Sequence, residues 1–163
     1  MPAFQKNHAA STVAEYVQLV QALAESARFS VADVLRPHLL QLSARTGETV
    51  DLSSLRGNAV VFLDQIPGTQ RLRAVSSVGE AFPLTTTANG KACLSLLADD
   101  AVAAMAGREW AAAGRKPNLA GLLNEIGAVR AAGVAFDRDE HTPGISAVGV
   151  AFRDWNGDIY AVS

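Results

Sequence analysis

The chain has 163 residues, 49% of them apolar and 18% charged, which describes one folded domain able to bury roughly 70% of its unfolded surface and excludes a disordered segment. Fourteen basic residues against sixteen acidic ones give a net charge of -2, too balanced for the chain to grip nucleic acid unaided, because neutralising phosphates needs clustered Lys and Arg. The single cysteine, Cys93, excludes an internal disulfide, no apolar run approaches the ~20 residues that cross a bilayer, and nothing at the start reads as a leader, so the chain is expected to be cytoplasmic.

Met1 to Ser11 carries no period and is expected to fray. From Thr12 onward Val13, Tyr16, Val17, Val20, Leu23 and Ala24 recur at steps of three and four, with Glu15, Gln18, Gln21 and Glu25 between them. This predicts an amphipathic helix, which covers a core or mediates pairing of chains. A second helix carries Val31, Val34, Leu35, Leu39 and Leu42, with Ser30 as its cap and Gly47 as its stop; Pro37 implies a kink or a regular part that starts at the proline.

After Gly47 the pattern changes to strands. Thr49 to Ser54 alternates, Arg56-Gly57-Asn58 signals a turn, and Ala59 to Leu63 is a β-rich apolar run, so the two should pair as a hairpin. Arg71 to Ser76 supplies a third strand with its arginines on one face, a solvated face or one that steers an anion. Gly79 to Pro83 reads as a loop.

That loop leads into Pro83-Leu84-Thr85-Thr86-Thr87-Ala88-Asn89-Gly90-Lys91-Ala92-Cys93-Leu94-Ser95-Leu96-Leu97. Three threonines and an asparagine able to cap run into apolar residues at helical spacing, which predicts a helix starting near Asn89. The first N–H groups of a helix have no intrahelical partner and suit a small anion such as a carboxylate. Ala88, Gly90 and Ala92 would let a ligand or another chain segment come close to the backbone.

Asp99 is read as the cap of a short helix ending at Gly107, followed by a mobile Ala/Gly-rich connection from Arg108 to Pro117 anchored only by Trp110. Asn118 caps an amphipathic helix with Leu119, Leu122, Leu123, Ile126 and Val129 on one face, ending at Gly133. Val134 to Phe136 is a short strand, Asp137 to Gly144 a charged loop, Ile145 to Phe152 a strand, and Asn156-Gly157 the turn of a hairpin that returns through Ile159 to Ser163. Strands grouped with strands indicate an α+β fold with a largely antiparallel sheet.

Gly90-Lys91 does not complete a phosphate loop, because Thr85 and Ala92 stand where Gly and Ser or Thr are needed. His8, His38 and His141 make no metal-binding spacing, and neither a metal nor a cofactor is expected. Cys93 reads as a small buried apolar residue. Asp137, Glu140 and His141 allow an acid/base reading, a small cytosolic hydrolase or isomerase, beside the plainer one of a solvated loop. Asp137 stands apart because it follows a strand directly, at the mouth of the sheet.

Leu35-Arg36-Pro37-His38-Leu39, Thr46-Gly47-Glu48-Thr49-Val50, Pro83-Leu84 before Thr87-Ala88-Asn89-Gly90-Lys91-Ala92, Glu125 through Arg130 to Gly133-Val134-Ala135-Phe136-Asp137, and Asp139-Glu140-His141 before Gly144-Ile145 follow one another in the order of a known family. Over about residues 30 to 163 the chain resembles the effector-binding domain of IclR-type transcriptional regulators. The resemblance implies a GAF-like curved, largely antiparallel sheet flanked by helices, in a bacterial regulator that assembles as a homodimer or tetramer. It implies no catalysis and a pocket for a small organic or aromatic acid. In that comparison Ala88, Asn89 and Gly90 match the helix start against which the ligand lies, Asp137 a polar pocket residue, Phe82 and Ile145 apolar walls, and Ser163 a serine on the last strand. Ala147 stands where some members have a cysteine. Residues 1–29 then form a lead-in and connecting helix, and 30–163 the effector-binding domain without the rest of its last strand and terminal helix. The family's winged helix-turn-helix, through which DNA is bound, is not expected within these residues.

Overall fold

The computed structural model describes residues 30–69 and 78–163. The helix expected from Thr12 and the strand expected over Arg71 to Ser76 lie outside the described residues. The chain divides into two compact units, Met1–Pro37 and His38–Ser163; among the described residues every strand, and each helix that begins after Pro37, belongs to the second.

Helix α1 (Val31–Thr46) opens with a reciprocal box: Asp33 N–H donates to Ser30 Oγ, and Ser30 N–H donates back to the Asp33 carboxylate, both at 3.1 Å. Each bond satisfies a donor that the helix start leaves open. The helix continues through Pro37 rather than starting there. It ends as expected at Gly47, whose N–H bonds to Ser43 C=O and whose φ is 75°.

Among the described residues the sheet has six strands, β1 (Val50–Arg56), β2 (Ala59–Ile66), β3 (Ala81–Phe82), β4 (Ala135–Arg138), β5 (Ser146–Arg153) and β6 (Ile159–Val162), in the order β3-β2-β1-β6-β5-β4. Every pairing is antiparallel, as the grouping of strands implied. β1 and β2 form the expected hairpin, Arg56 opposite Ala59, with a bulge at Leu52/Ser53. Gly79 to Pro83 is not wholly loop: Ala81 and Phe82 pair with Val61 and Val60. At the β5–β6 turn Asp154 Oδ1 accepts from Asn156 N–H and Asp158 N–H, a local closure typical of Asp in turns.

One face of the sheet carries helices α2 (Ala88–Ser95), α3 (Asp99–Ala112) and α4 (Leu119–Ala132). Leu94, Val102, Ala106 and Ile126 are wholly buried there with Val60 and Ala161, and burial on this scale is the main source of the domain's stability. Helix α3 corrects two expectations. It runs five residues past Gly107 through the first half of the connection expected to be mobile, and its N-cap is Ala98, with Asp99 inside the first turn. Trp110 is 6% exposed, so burying that ring outweighs the ~1 kcal/mol that Gly107 costs the helix.

Candidate effector site at the start of α2

Of the four residues able to cap, Thr87 caps α2, which starts at Ala88, one residue from the expected Asn89. Its Oγ1 accepts from Gly90 N–H at 3.0 Å and donates to Pro83 C=O at 2.7 Å, and its C=O takes Lys91 N–H. Ahead of the cap, the Glu109 carboxylate on α3 accepts from Leu84 N–H, Thr85 N–H and the Thr85 hydroxyl. A charged acceptor thus fixes a loop whose polar residues Thr85, Thr86 and Thr87 are all buried. No acidic residue occupies the first turn of α2, so the positive end of its dipole is not offset from within the helix itself.

The candidate residues fall unevenly in space. Ala88 and Asn89 are buried, at 1% and 4% exposure, and by helix geometry their N–H groups have no intrahelical partner. Asn89 directs its amide away from the helix axis to Ser53 Oγ on β1, at 2.7 Å. Gly90 gives its N–H to Thr87, and a side chain there would run into the backbone of Leu84. The close approach expected at Gly90 is therefore made by the chain itself.

Ala88 rests on β5: a Cβ on Gly149 would lie 3.0 Å from the Ala88 carbonyl. Ala147, two residues before Gly149, shares its face of the sheet, and Asp137 is paired with Ala147 across β4 and β5. Asp137 is 6% exposed and its Oδ1 accepts from Glu140 N–H at 2.9 Å. Phe82 stacks edge-on to Phe62 and to His141, with centroids 4.8 and 4.9 Å apart. Ile145 and Ala147 are half-buried. Ser163 exchanges both backbone hydrogen bonds with Asp51 and lines a groove of about 270 Å³ that also includes Leu42, Val50, Val148 and Val162. The structure therefore brings Ala88, Asn89, Asp137 and Ala147 to one side of the sheet, while Phe82 packs with His141 and Ser163 borders the apolar groove.

Four contributors escaped the sequence reading. Glu109 and Ser53 gave no local signal, being 24 and 36 residues from their partners in the chain. Lys91 is wholly buried, and its Nζ donates to Glu125 Oε1 and Glu140 Oε1, each at 2.7 Å. A lysine between Gly90 and Ala92-Cys93 in a short apolar helix did carry a signal, since a charge with no wet face must find a partner. Asp51 is the fourth: burial pushes its carboxyl up to about 6, against the smaller opposing effect of a 2.8 Å bond from Gln65 Nε2.

The residues of the acid/base reading take part in other contacts. Glu140 is committed to Lys91, and His141 to the Phe82 ring. Cys93 is wholly buried and its thiol is pushed up to about 12 by desolvation. Among the described residues no cluster of three His, Cys, Asp or Glu side chains could hold a metal, and no helix is long and apolar enough to cross a membrane.

The model for the bacterial transcriptional regulator IclR C-terminal family matches residues 20–163. HTH-type transcriptional regulator Rv1719 of Mycobacterium tuberculosis is 42% identical over 143 residues, which cover 86% of this chain and 55% of that protein. HTH-type transcriptional regulator TtgV of Pseudomonas putida is 33% identical over 128 residues, 76% of this chain and 48% of its own. The chain thus spans about half the length of the curated relatives it matches. The crystal structure of the Thermotoga maritima IclR superimposes with a TM-score of 0.72 at 28% identity, covering 93% of this chain and 61% of that one. These relatives are transcriptional regulators, not enzymes. With the α+β fold, the all-antiparallel sheet and the family match over most of its length, the chain belongs to the IclR family of bacterial transcriptional regulators and corresponds to its effector-binding domain.

Proposed function

We propose that this domain senses a small organic or aromatic acid bound at the start of α2. Ala88 and Asn89 offer backbone N–H donors, Asp137 is the polar side chain opposite them, Phe82, Ile145 and Ala147 are apolar walls, and Ser163 lies at the margin. Gly90 contributes by letting the helix start pack on Leu84 rather than by a bond of its own. The observation that carries this reading is the buried helix start, pinned by Glu109, Thr87 and Ser53, whose first two N–H groups have no partner within the helix. Donors held rigid before a ligand arrives cost little to organise when it binds.

In the whole regulator, domains of this kind pair as dimers or tetramers, and DNA is held by a winged-helix domain outside residues 30–163. A ligand that prefers one arrangement of the paired domains shifts the population of DNA-binding states by its differential affinity, and equal affinity for both would shift nothing.

Thermal unfolding of the chain across a panel of aliphatic and aromatic acids tests this. An acid at a hundredfold its dissociation constant stabilises by roughly 2.7 kcal/mol, about 5 to 10 °C for this size. The shift should vanish in Asp137→Ala and in Asn89→Pro, which lacks the N–H, and persist in Asn89→Ala, which keeps it. A shift that survives Asp137→Ala and Asn89→Pro alike would move the site elsewhere.

A further inference from the structure

Lys91 carries one positive charge into a fully buried position and meets two carboxylates there, Glu125 on α4 and Glu140 in the loop after β4. One carboxylate would neutralise it. The second therefore invites a separate explanation, and the two partners differ in what else they touch. Glu125 joins one helix to another. Glu140 closes a turn: its N–H donates to Asp137 Oδ1 at 2.9 Å, while its own Oε1 accepts from Lys91 and lies 3.4 Å from Arg138 N–H.

The turn is not one the backbone favours by itself. Asp139, between these two carboxylates, sits at φ 62°, the left-handed region that residues other than glycine enter at some cost. It is held at both ends, by the Asp137 carboxylate on the Glu140 amide and by the Glu140 carboxylate on Lys91. Lys91 is in turn three residues beyond Ala88 on α2, so one short helix carries both the N–H donors and the anchor of the turn.

The geometry points to Lys91 and Glu140 as the positioning residues of the effector site: Lys91, acting through Glu140, fixes the Asp137 carboxylate as a hydrogen-bond acceptor on the sheet face where Ala88 rests, and thereby selects acids that carry a donor group such as a hydroxyl. Glu125 keeps the buried ammonium paired without setting that acceptor. The ligand selectivity rests on the function proposed above; the positioning does not. Glu140 N–H donates to Asp137 Oδ1, so discrimination falls to the other carboxylate oxygen, which a ligand without a donor group would leave without a bond from the ligand.

Two measurements on the full 163-residue chain separate these roles. Glu140→Ala and Glu125→Ala each leave Lys91 one carboxylate, so neither strands a bare buried charge. Hydrogen exchange of the residue-140 amide, corrected for intrinsic rates, should quicken tenfold or more in Glu140→Ala, recover in part in Glu140→Gln, and stay within about twofold in Glu125→Ala. Equal acceleration in Glu140→Ala and Glu125→Ala, or none in Glu140→Ala, overturns the positioning role. The second measurement compares binding of glycolate with acetate and of mandelate with phenylacetate, pairs that differ by one hydroxyl. The preferred hydroxy acid should bind at least tenfold tighter than its partner, with the ratio lost in Glu140→Ala and kept in Glu125→Ala. Equal binding within both pairs overturns the selectivity. Failure of all four acids to bind the unmodified chain counts against the function proposed above and against this selectivity, and leaves the exchange result to decide the positioning.

Discussion

Asn89 Nδ2 donates to Ser53 Oγ at 2.7 Å, and both side chains are buried, at 4% and 0% exposure. This bond ties the first turn of α2 to β1, and the Ser53 hydroxyl passes on a longer contact to Ala161 C=O on β6. Removing either partner strands a buried polar group, which costs more than the net worth of the bond. Asn89→Ala and Ser53→Ala should each lose about 1 to 2 kcal/mol in urea unfolding, with the pair losing less than the sum. A coupling near zero in the double-mutant cycle would mean that water replaces the bond without loss.

Glu109 holds the loop ahead of the helix through two amides and a hydroxyl. Glu109→Gln keeps the shape and removes the charge, and its amide nitrogen cannot accept. We expect a loss of about 1 to 3 kcal/mol, the range for bonds to a charged acceptor. Faster hydrogen exchange of the Leu84 and Thr85 amides should accompany it; unchanged exchange there would show that the carboxylate is a bystander.

What could be read from the residues alone follows the range of the forces involved. Ser30 and Asn118 as caps and the hairpin turn between Arg56 and Ala59 are closures within a few residues, and each was legible, though the partners Asp33 and Gly121 were not. The start of α2 was legible only to within a residue or two. Thr85, Thr86, Thr87 and Asn89 can all cap, and the choice falls on Thr87 in a loop that Glu109 pins from another helix. Helix α3 was read as ending at Gly107 because local propensity says so, while the burial of Trp110 that carries it to Ala112 depends on the finished core. At the site, Asp137 stood out by following a strand, but its bond to Glu140 and the link from Glu140 to Lys91 needed the fold.

Cys93 is wholly buried on α2, and desolvation pushes its thiol up to about 12. The reactive thiolate is then scarce at neutral pH and out of reach of reagents. Iodoacetamide at pH 8 should leave the folded chain unlabelled, with labelling that follows global unfolding as urea is added. Rapid native-state labelling would show that α2 opens locally.

Asp51 provides a pH dependence whose sign is opposite to that of a salt-bridged carboxylate. Burial raises its carboxyl from 3.8 to about 6 in the folded chain, despite the bond from Gln65. Between these values the folded state holds more of the proton than the unfolded state does, so stability falls as pH rises. The penalty is absent below about 3.8 and complete above about 6. Asp51→Asn keeps an oxygen for Gln65 and never ionises. It should raise stability at pH 7 by about 1 to 3 kcal/mol and remove the part of the slope between pH 4 and 6 that belongs to this residue. Urea unfolding of both chains at pH 4, 5, 6 and 7 checks this: the two curves should converge toward pH 4 and part toward pH 7, whereas a constant offset would show that Asp51 contributes through packing and hydrogen bonding rather than through its charge.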